Sequence, residues 1–271
     1  MTPRTAIIAL ALTAALPGAA EDLYVPAAAH SSGVAGTEWR TDLEVKARGN
    51  AAAAFRVELL AAETDNSSPH GAVFDVAATE CLRIEDLLEE VFAYTGNGAL
   101  RITATAGEVL VTSRTYNDDP EGTYGQFIPA LPASSAAGPE VDVALIQLSR
   151  SADLETGYRT NVGFLNATAA DLSLEIDVLT AAGALLGTGT YELVPWEFRQ
   201  VNDIFASFTT EDVDDGYVLV RTTTEGGLFF AYASVVDNRS GDAIFIPGQE
   251  DEPRQQEVPR FVVFEAFMRH G

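Results

Sequence analysis

One stretch of this sequence comes back a second time, and that return limits the fold more than any other feature. Trp39-Arg40-Thr41-Asp42-Leu43 reappears as Tyr158-Arg159-Thr160-Asn161-Val162. Leu82-Arg83-Ile84-Glu85-Asp86-Leu87 is echoed by Arg199-Gln200-Val201-Asn202-Asp203-Ile204, and Phe127-Ile128-Pro129 by Phe245-Ile246-Pro247. The three matches keep their order, and their offsets agree to within about two residues, so one unit of roughly 110 residues occurs twice. Two copies are too few for a propeller or a solenoid. Each copy must close its own core.

Within each copy the pattern is that of strands. Trp39, Thr41, Leu43 and Val45 alternate with Arg40, Asp42, Glu44 and Lys46. Phe55, Val57 and Leu59 alternate with Arg56 and Glu58, and Leu174, Ile176 and Val178 with Glu175 and Asp177. A period of two with one apolar face is the half-buried antiparallel strand. Val109 to Tyr116 and Leu228 to Val236 are longer apolar runs, read as central strands covered on both sides, with Trp39 and Tyr158 read as core. One segment per copy departs from this rhythm. Glu85 to Phe92 and Asn202 to Phe208 carry apolar residues at helical spacing, with Asn202 or Asp203 available as an N-cap, and are read as one- to two-turn helices crossing between sheets. The fold expected is all-β: two tandem immunoglobulin-like β-sandwich domains, related by internal duplication, each with one short helix.

The boundaries follow. Residues 1–20 pair Arg4 with the apolar run Ala6 to Leu16 and end in Gly18-Ala19-Ala20, the pattern of a signal peptide cleaved near Ala20. Repeat 1 is expected over 21–130, a small-residue linker over 131–139 and repeat 2 over 140–248. A charged stretch and apolar tail, 249–271, has no counterpart in the repeat. The tail is read as an added strand packing back on a sandwich, or else as a segment that meets another chain. The expected location is outside the cell or in the periplasm. No later stretch reaches the ~18 apolar residues of a membrane helix, so membrane insertion is not expected. Cys81, the single cysteine, allows no internal disulfide and is read as a small buried apolar residue.

A formal charge of −24 argues against nucleic acid and anionic membranes as partners and leaves an extracellular polysaccharide or protein. The three histidines, His30, His70 and His270, are scattered, which does not make a zinc site. His30 and His70 fall in the first copy, and the second copy places Ser149 against His30, so a catalytic histidine is not a property of the repeat. No nucleophile elbow or phosphate-binding loop is present. The chain is therefore read as a non-enzyme with no catalytic residues. Arg40 and Arg159, each followed by Thr and then Asp or Asn, could grip a sugar or a carboxylate; the alternative is that each pairs across its sheet. Tyr124 and Trp196 are the aromatic residues placed best for stacking on a ligand. Asp118 and Asp119, and Asp212, Asp214 and Asp215, lie in oxygen-rich turns that could take Ca²⁺, the only cofactor to consider. The sequons at Asn66, Asn166 and Asn238 matter only in a glycosylating host.

The phrases Val25-Pro26-Ala27-Ala28-Ala29-His30, Ser113-Arg114-Thr115-Tyr116-Asn117, Gly125-Gln126-Phe127-Ile128-Pro129 and Ala233-Ser234-Val235-Val236-Asp237-Asn238 add to the Trp39 to Leu43 match. Together they resemble repeats of uncharacterised secreted bacterial tandem-repeat proteins with immunoglobulin-like modules, over most of Leu23 to Gly248. That resemblance implies a non-catalytic extracellular module and brings no active site. The expected function is an exported binding or scaffolding module. The alternatives are a carbohydrate-binding module, a calcium-stabilised adhesion protein, a purely structural spacer, or a hydrolase with an unrecognised site.

Overall fold

The computed structural model describes residues 21–33, 36–120 and 122–251; the expected signal segment and the apolar tail lie outside them. The chain is all-β. Its first half holds β1 (Leu23–Ser32), β2 (Glu38–Ala47), β3 (Ala53–Ala61), β4 (His70–Val76), β5 (Cys81–Ile84), the helix α1 (Leu87–Phe92), β6 (Gly96–Ala106), β7 (Val109–Asp119), β8 (Gly122–Pro129) and β9 (Leu131–Pro132). The second half holds β10 (Asp142–Arg150), β11 (Tyr158–Asn166), β12 (Leu172–Thr180), β13 (Leu185–Leu193), β14 (Phe198–Val201), β15 (Val213–Thr222), β16 (Phe229–Asp237), β17 (Ala243–Pro247) and β18 (Gln249–Asp251). A 3-10 turn, Ile204–Ser207, stands between β14 and β15 where α1 stands between β5 and β6.

All pairings between these strands are antiparallel, and they follow one order in both halves. In the first, β4-β3-β6-β1-β9 forms one leaf and β5-β2-β7-β8 the other, joined where Ser31 and Ser32 of β1 reach β2. In the second, the leaves are β13-β12-β15-β10-β18 and β14-β11-β16-β17. Even the irregularities match: β1 slips register between Val25 and Ala28, and β10 between Leu145 and Leu148. Period-two alternation fills each half. Phe55 and Val57 meet Leu43 and Val45 in the first core, and Ile176 and Val178 meet Val162 and Phe164 in the second.

The two long apolar runs differ. β16 is buried from Phe229 to Val236, whereas β7 alternates, with Leu110 exposed. The expectation that Val109 to Tyr116 is covered on both faces is therefore corrected. The reason is docking: Ala231, Ala233 and Val235 face the second core, while Phe230 and Tyr232, with Leu165 and Phe198, enter the first core. Among the described residues nothing comparable covers the outer face of β7. Tyr232 is fully buried, its hydroxyl donates to Gln200 Oε1 at 2.7 Å, and burial pushes its ionisation far up. Its ring lies over Gly163, where an added Cβ would meet it at 2.0 Å. Tyr24 of β1 stacks on Trp196 at 6.4 Å, and the Arg101 guanidinium sits 4.7 Å from the Trp196 ring centre. Glu58 holds Arg101 at 2.7 Å and Arg56 at 2.9 Å.

The expected linker is tied to both halves. Leu131 and Pro132 pair with β1, and Ala137 exchanges two backbone hydrogen bonds with Phe229. Two further expectations are corrected. Cys81 is exposed, because β5 is an edge strand and Cys81 shares the outward face of Arg83. Tyr158, expected in the core, is 47 % exposed although it shares the face of Thr160, Val162 and Phe164, because it is the first residue of β11 and stands beyond the end of the core.

Two outcomes are expected. Gly163→Ala should lower the denaturant midpoint by an amount equivalent to roughly 1–3 kcal/mol, the cost of overpacking against a ring that cannot move. Burial raises the Glu58 carboxyl, but hydrogen bonds from Arg101 and Arg56 outweigh it and hold the group below its ordinary value. Its stabilising contribution is then complete above the unfolded carboxylate value of about 4.3 and is lost as pH falls through the depressed folded value. Glu58→Gln should be less stable at pH 7 and should lose less on acidification below about pH 4.3, as read by melts across that range.

Candidate functional site

The two halves build the same polar corner from different residues. In the first, Asp86 takes a left-handed backbone (φ 43°) at the start of α1 and its N–H donates to Asp42 Oδ1 at 3.1 Å. In the second, Asp203 takes the same conformation (φ 44°) and its N–H donates to Asn161 Oδ1 at 3.1 Å. Aspartate tolerates this conformation better than most residues. A basic side chain on the preceding strand holds each carboxylate. His30 Nδ1 is 2.9 Å from both Asp86 oxygens, and Arg150 Nε is 3.3 Å from Asp203 Oδ2. Thr41 binds Ala29 N as Thr160 binds Ser149 N, so Arg150 is the counterpart of His30. The sequence match of His30 with Ser149 is one residue out, because the β1–β2 connection is a residue longer than its equivalent.

What differs is the repeated arginine. Arg40 joins its corner: Nε is 3.5 Å from Asp86 Oδ2, and Nη1 is 3.0 Å from His30 Nδ1. Arg159 does not. Among the described residues it makes one hydrogen bond, from Nη1 to Asn238 Oδ1 at 2.9 Å, and no ion pair. It is only 7 % exposed, and burial lowers its proton affinity, with Asp203 and Asp237 opposing at longer range. Asp203 is already engaged by Arg150, yet its Oδ1 is buried without a hydrogen-bond partner among the described residues. Asp237 is occupied by Arg239 N, Ser240 N and Ser240 Oγ.

Arg159 and Asp203 line a cavity of about 250 Å³ between the halves. Its first wall is Ala28, Ser31, Trp39, Asn97 and Gln126 of the first half; its second is the outer face of β11, β14 and β16, with Asn161, Gln200, Ser234 and Asn238. Amides, hydroxyls, one indole and one unpaired guanidinium thus meet in a recess that neither half forms alone. Such a lining can hold a polar molecule in a fixed orientation.

The other residues singled out in the sequence are dispersed. Trp196 is packed against Tyr24 and Arg101, paired neighbours on β1 and β6, as part of the contact between halves. Tyr124 is half-buried on β8, opposite Asn117. Asp118 is exposed and Asp119 half-buried at the end of β7. Asp212 Oδ1 accepts from Ala152 N, and Asp214 and Asp215, expected in a turn, are exposed on β15. Among the described residues no three acidic, histidine or cysteine side chains gather as metal ligands would. His70 is exposed on β4, edge-on to Phe92. The three sequon asparagines are buried and bonded: Asn66 to Trp196 O, Asn166 to Val194 O, and Asn238 to Thr156 O. Sequence reasoning missed Arg150, Gln200 and Asn238 as neighbours of Arg159; the only signal was the departure of each from its counterpart in the first copy.

No family model and no curated protein matches the chain.

The unequal partners of Arg150 and Arg159 give a test. Arg150→Met leaves the half-buried Asp203 carboxylate, its Oδ1 already unpartnered, without its ion pair and should cost about 3 kcal/mol. Arg159→Met exchanges an unpaired buried cation for an apolar side chain and should cost less than about 1 kcal/mol. Chemical denaturation of both variants reads the difference.

Proposed function

We propose that this chain is an exported, non-catalytic binding module, built from two copies of one immunoglobulin-like sandwich, that holds a small polar ligand in the cleft between them. One observation carries the reading: the cavity of about 250 Å³ takes its walls from both halves and gathers amide, hydroxyl and aromatic side chains there. Its size suits a single small molecule, or the end of a polysaccharide or peptide, more than a stretch of polymer. The duplication is supported by the shared strand order, by the matched register slips and by the left-handed Asp86 and Asp203. Export is supported by the pattern of residues 1–20.

Within this reading a saccharide is favoured, because Trp39 offers a face for a sugar ring while Asn97, Asn161 and Gln200 offer hydroxyl partners. A calcium-stabilised adhesion protein has weaker support, since the acidic side chains that would serve it stand apart on strand surfaces. A hydrolase has weaker support too. His30 is committed to Asp86, and no described serine or cysteine hydrogen-bonds to His30 or His70.

The test is a thermal melt of the full chain against a panel of neutral and acidic mono- and disaccharides, with Ca²⁺ as a separate arm. A ligand at a hundred times its dissociation constant adds about 2.7 kcal/mol to the folded state, a rise of several degrees. Ser32→Trp, which fills the cavity rim, should remove the rise. A panel without effect, or a rise that Ser32→Trp leaves intact, would overturn the assignment of the cleft.

A further inference from the structure

We propose that Arg159 makes the cleft a receptor for the carboxylate of a small ligand that carries a hydroxyl or ammonium donor beside it. This rests on the cleft being the binding site and names the chemistry it selects.

The argument begins with the comparison between the halves. Both contain the corner in which an aspartate is pinned by a basic side chain of the first strand, and both place an arginine on the next strand. In the first half that arginine is consumed, since Asp86 is shared by His30 and Arg40. In the second, Arg150 replaces the histidine and takes Asp203, and Arg159 is left with one amide oxygen. A buried guanidinium has five N–H donors in a planar fork and is costly to bury without an anion. The same side chain would be paired at little cost on an acidic surface, and this protein has carboxylates in excess. Arg159 instead lies against a cavity shared by both halves.

Two side chains of the recess ask for different groups. Arg159 presents donors with no carboxylate within ion-pair distance among the described residues. A bidentate carboxylate matches a guanidinium fork in charge and geometry. Asp203 keeps Oδ1 buried and unpartnered, an acceptor that calls for a donor. A molecule with a carboxylate and a neighbouring O–H or N–H satisfies both. Sugar acids and α-amino acids share this chemistry. A neutral sugar would leave Arg159 as it is, and a dianion would be opposed by Asp203 and Asp237.

The experiment observes the arginine Nε–H resonances of the ¹⁵N-labelled full chain during titration with sodium acetate, with sodium chloride as the ionic-strength control. Galacturonate and glutamate follow as the sugar-acid and amino-acid arms, and galactose as the neutral match. Arg159 Nε–H should shift saturably with acetate while Arg40 does not. The better of galacturonate and glutamate should bind at least tenfold tighter than acetate. Arg159→Gln should abolish the carboxylate response, and Arg159→Lys should weaken it at least tenfold, with the unliganded melts of both close to that of the natural chain. An Arg159 resonance that ignores acetate, or that moves equally with chloride, would overturn the proposal. If galactose stabilises the natural chain and Arg159→Gln alike, and Ser32→Trp blocks it, the cleft is a binding site and the carboxylate assignment is wrong. If no member of the series acts through the cleft, both ideas fall together.

Discussion

The contact between the two halves is the constraint on which the rest of the structure depends. The leaf β14-β11-β16-β17 must be apolar on one face for its own core and apolar again on the other where Leu165, Phe198, Phe230 and Tyr232 enter the first core. A fully buried large side chain contributes roughly 1.5–3 kcal/mol, so losing four at once would consume much of the stability of an ordinary domain. The halves are therefore held at a fixed angle, and Gly163 is a condition of it, since only a residue without Cβ lets the Tyr232 ring lie flat on β11. The cleft is a by-product of that angle. Apolar residues of the leaf β14-β11-β16-β17 enter the first core, and polar residues of the same leaf face the first half across the cleft.

Much of this was legible in the sequence, but not evenly. Strand alternation gave the inward faces of Leu43, Phe55 and Ile176, because a period of two needs no knowledge of the partner. The short helical segments were visible for the same reason: their spacing breaks the period locally. Burial by docking was not visible. Val109 to Tyr116 and Leu228 to Val236 look alike as strings, yet only the second is covered on both faces. Cys81 and Tyr158 were misplaced because strand edges and ends are defined by what lies beyond them. The site was half visible. Arg159 stood out through repetition, but its isolation comes from Arg150, whose correspondence to His30 is hidden by a one-residue difference in connection length.

The two corners show how one backbone frame can carry an asymmetric feature. Position for position the frame is kept: a left-handed aspartate, an acceptor at Asp42 or Asn161, a basic side chain on the strand before. Where the first half has His30 the second has Arg150, which takes Asp203 and leaves the neighbouring Arg159 without an ion pair among the described residues. No change in backbone is needed. The charge that results is small beside the −24 of the whole chain, but it is buried, where a single charge acts over short distances with little screening.

The buried sequons have a practical consequence. Oligosaccharyl transfer acts on extended chain, and Asn66, Asn166 and Asn238 are accessible only before folding. Each amide then becomes an internal strut, so a glycan added early would be incompatible with the packed state. Production in a eukaryotic secretory host would set modification and folding in a race, and every molecule that lost it would be covalently barred from closing its own joints. A heterogeneous, poorly secreted product from such a host would reflect this trap and not any instability of the finished fold.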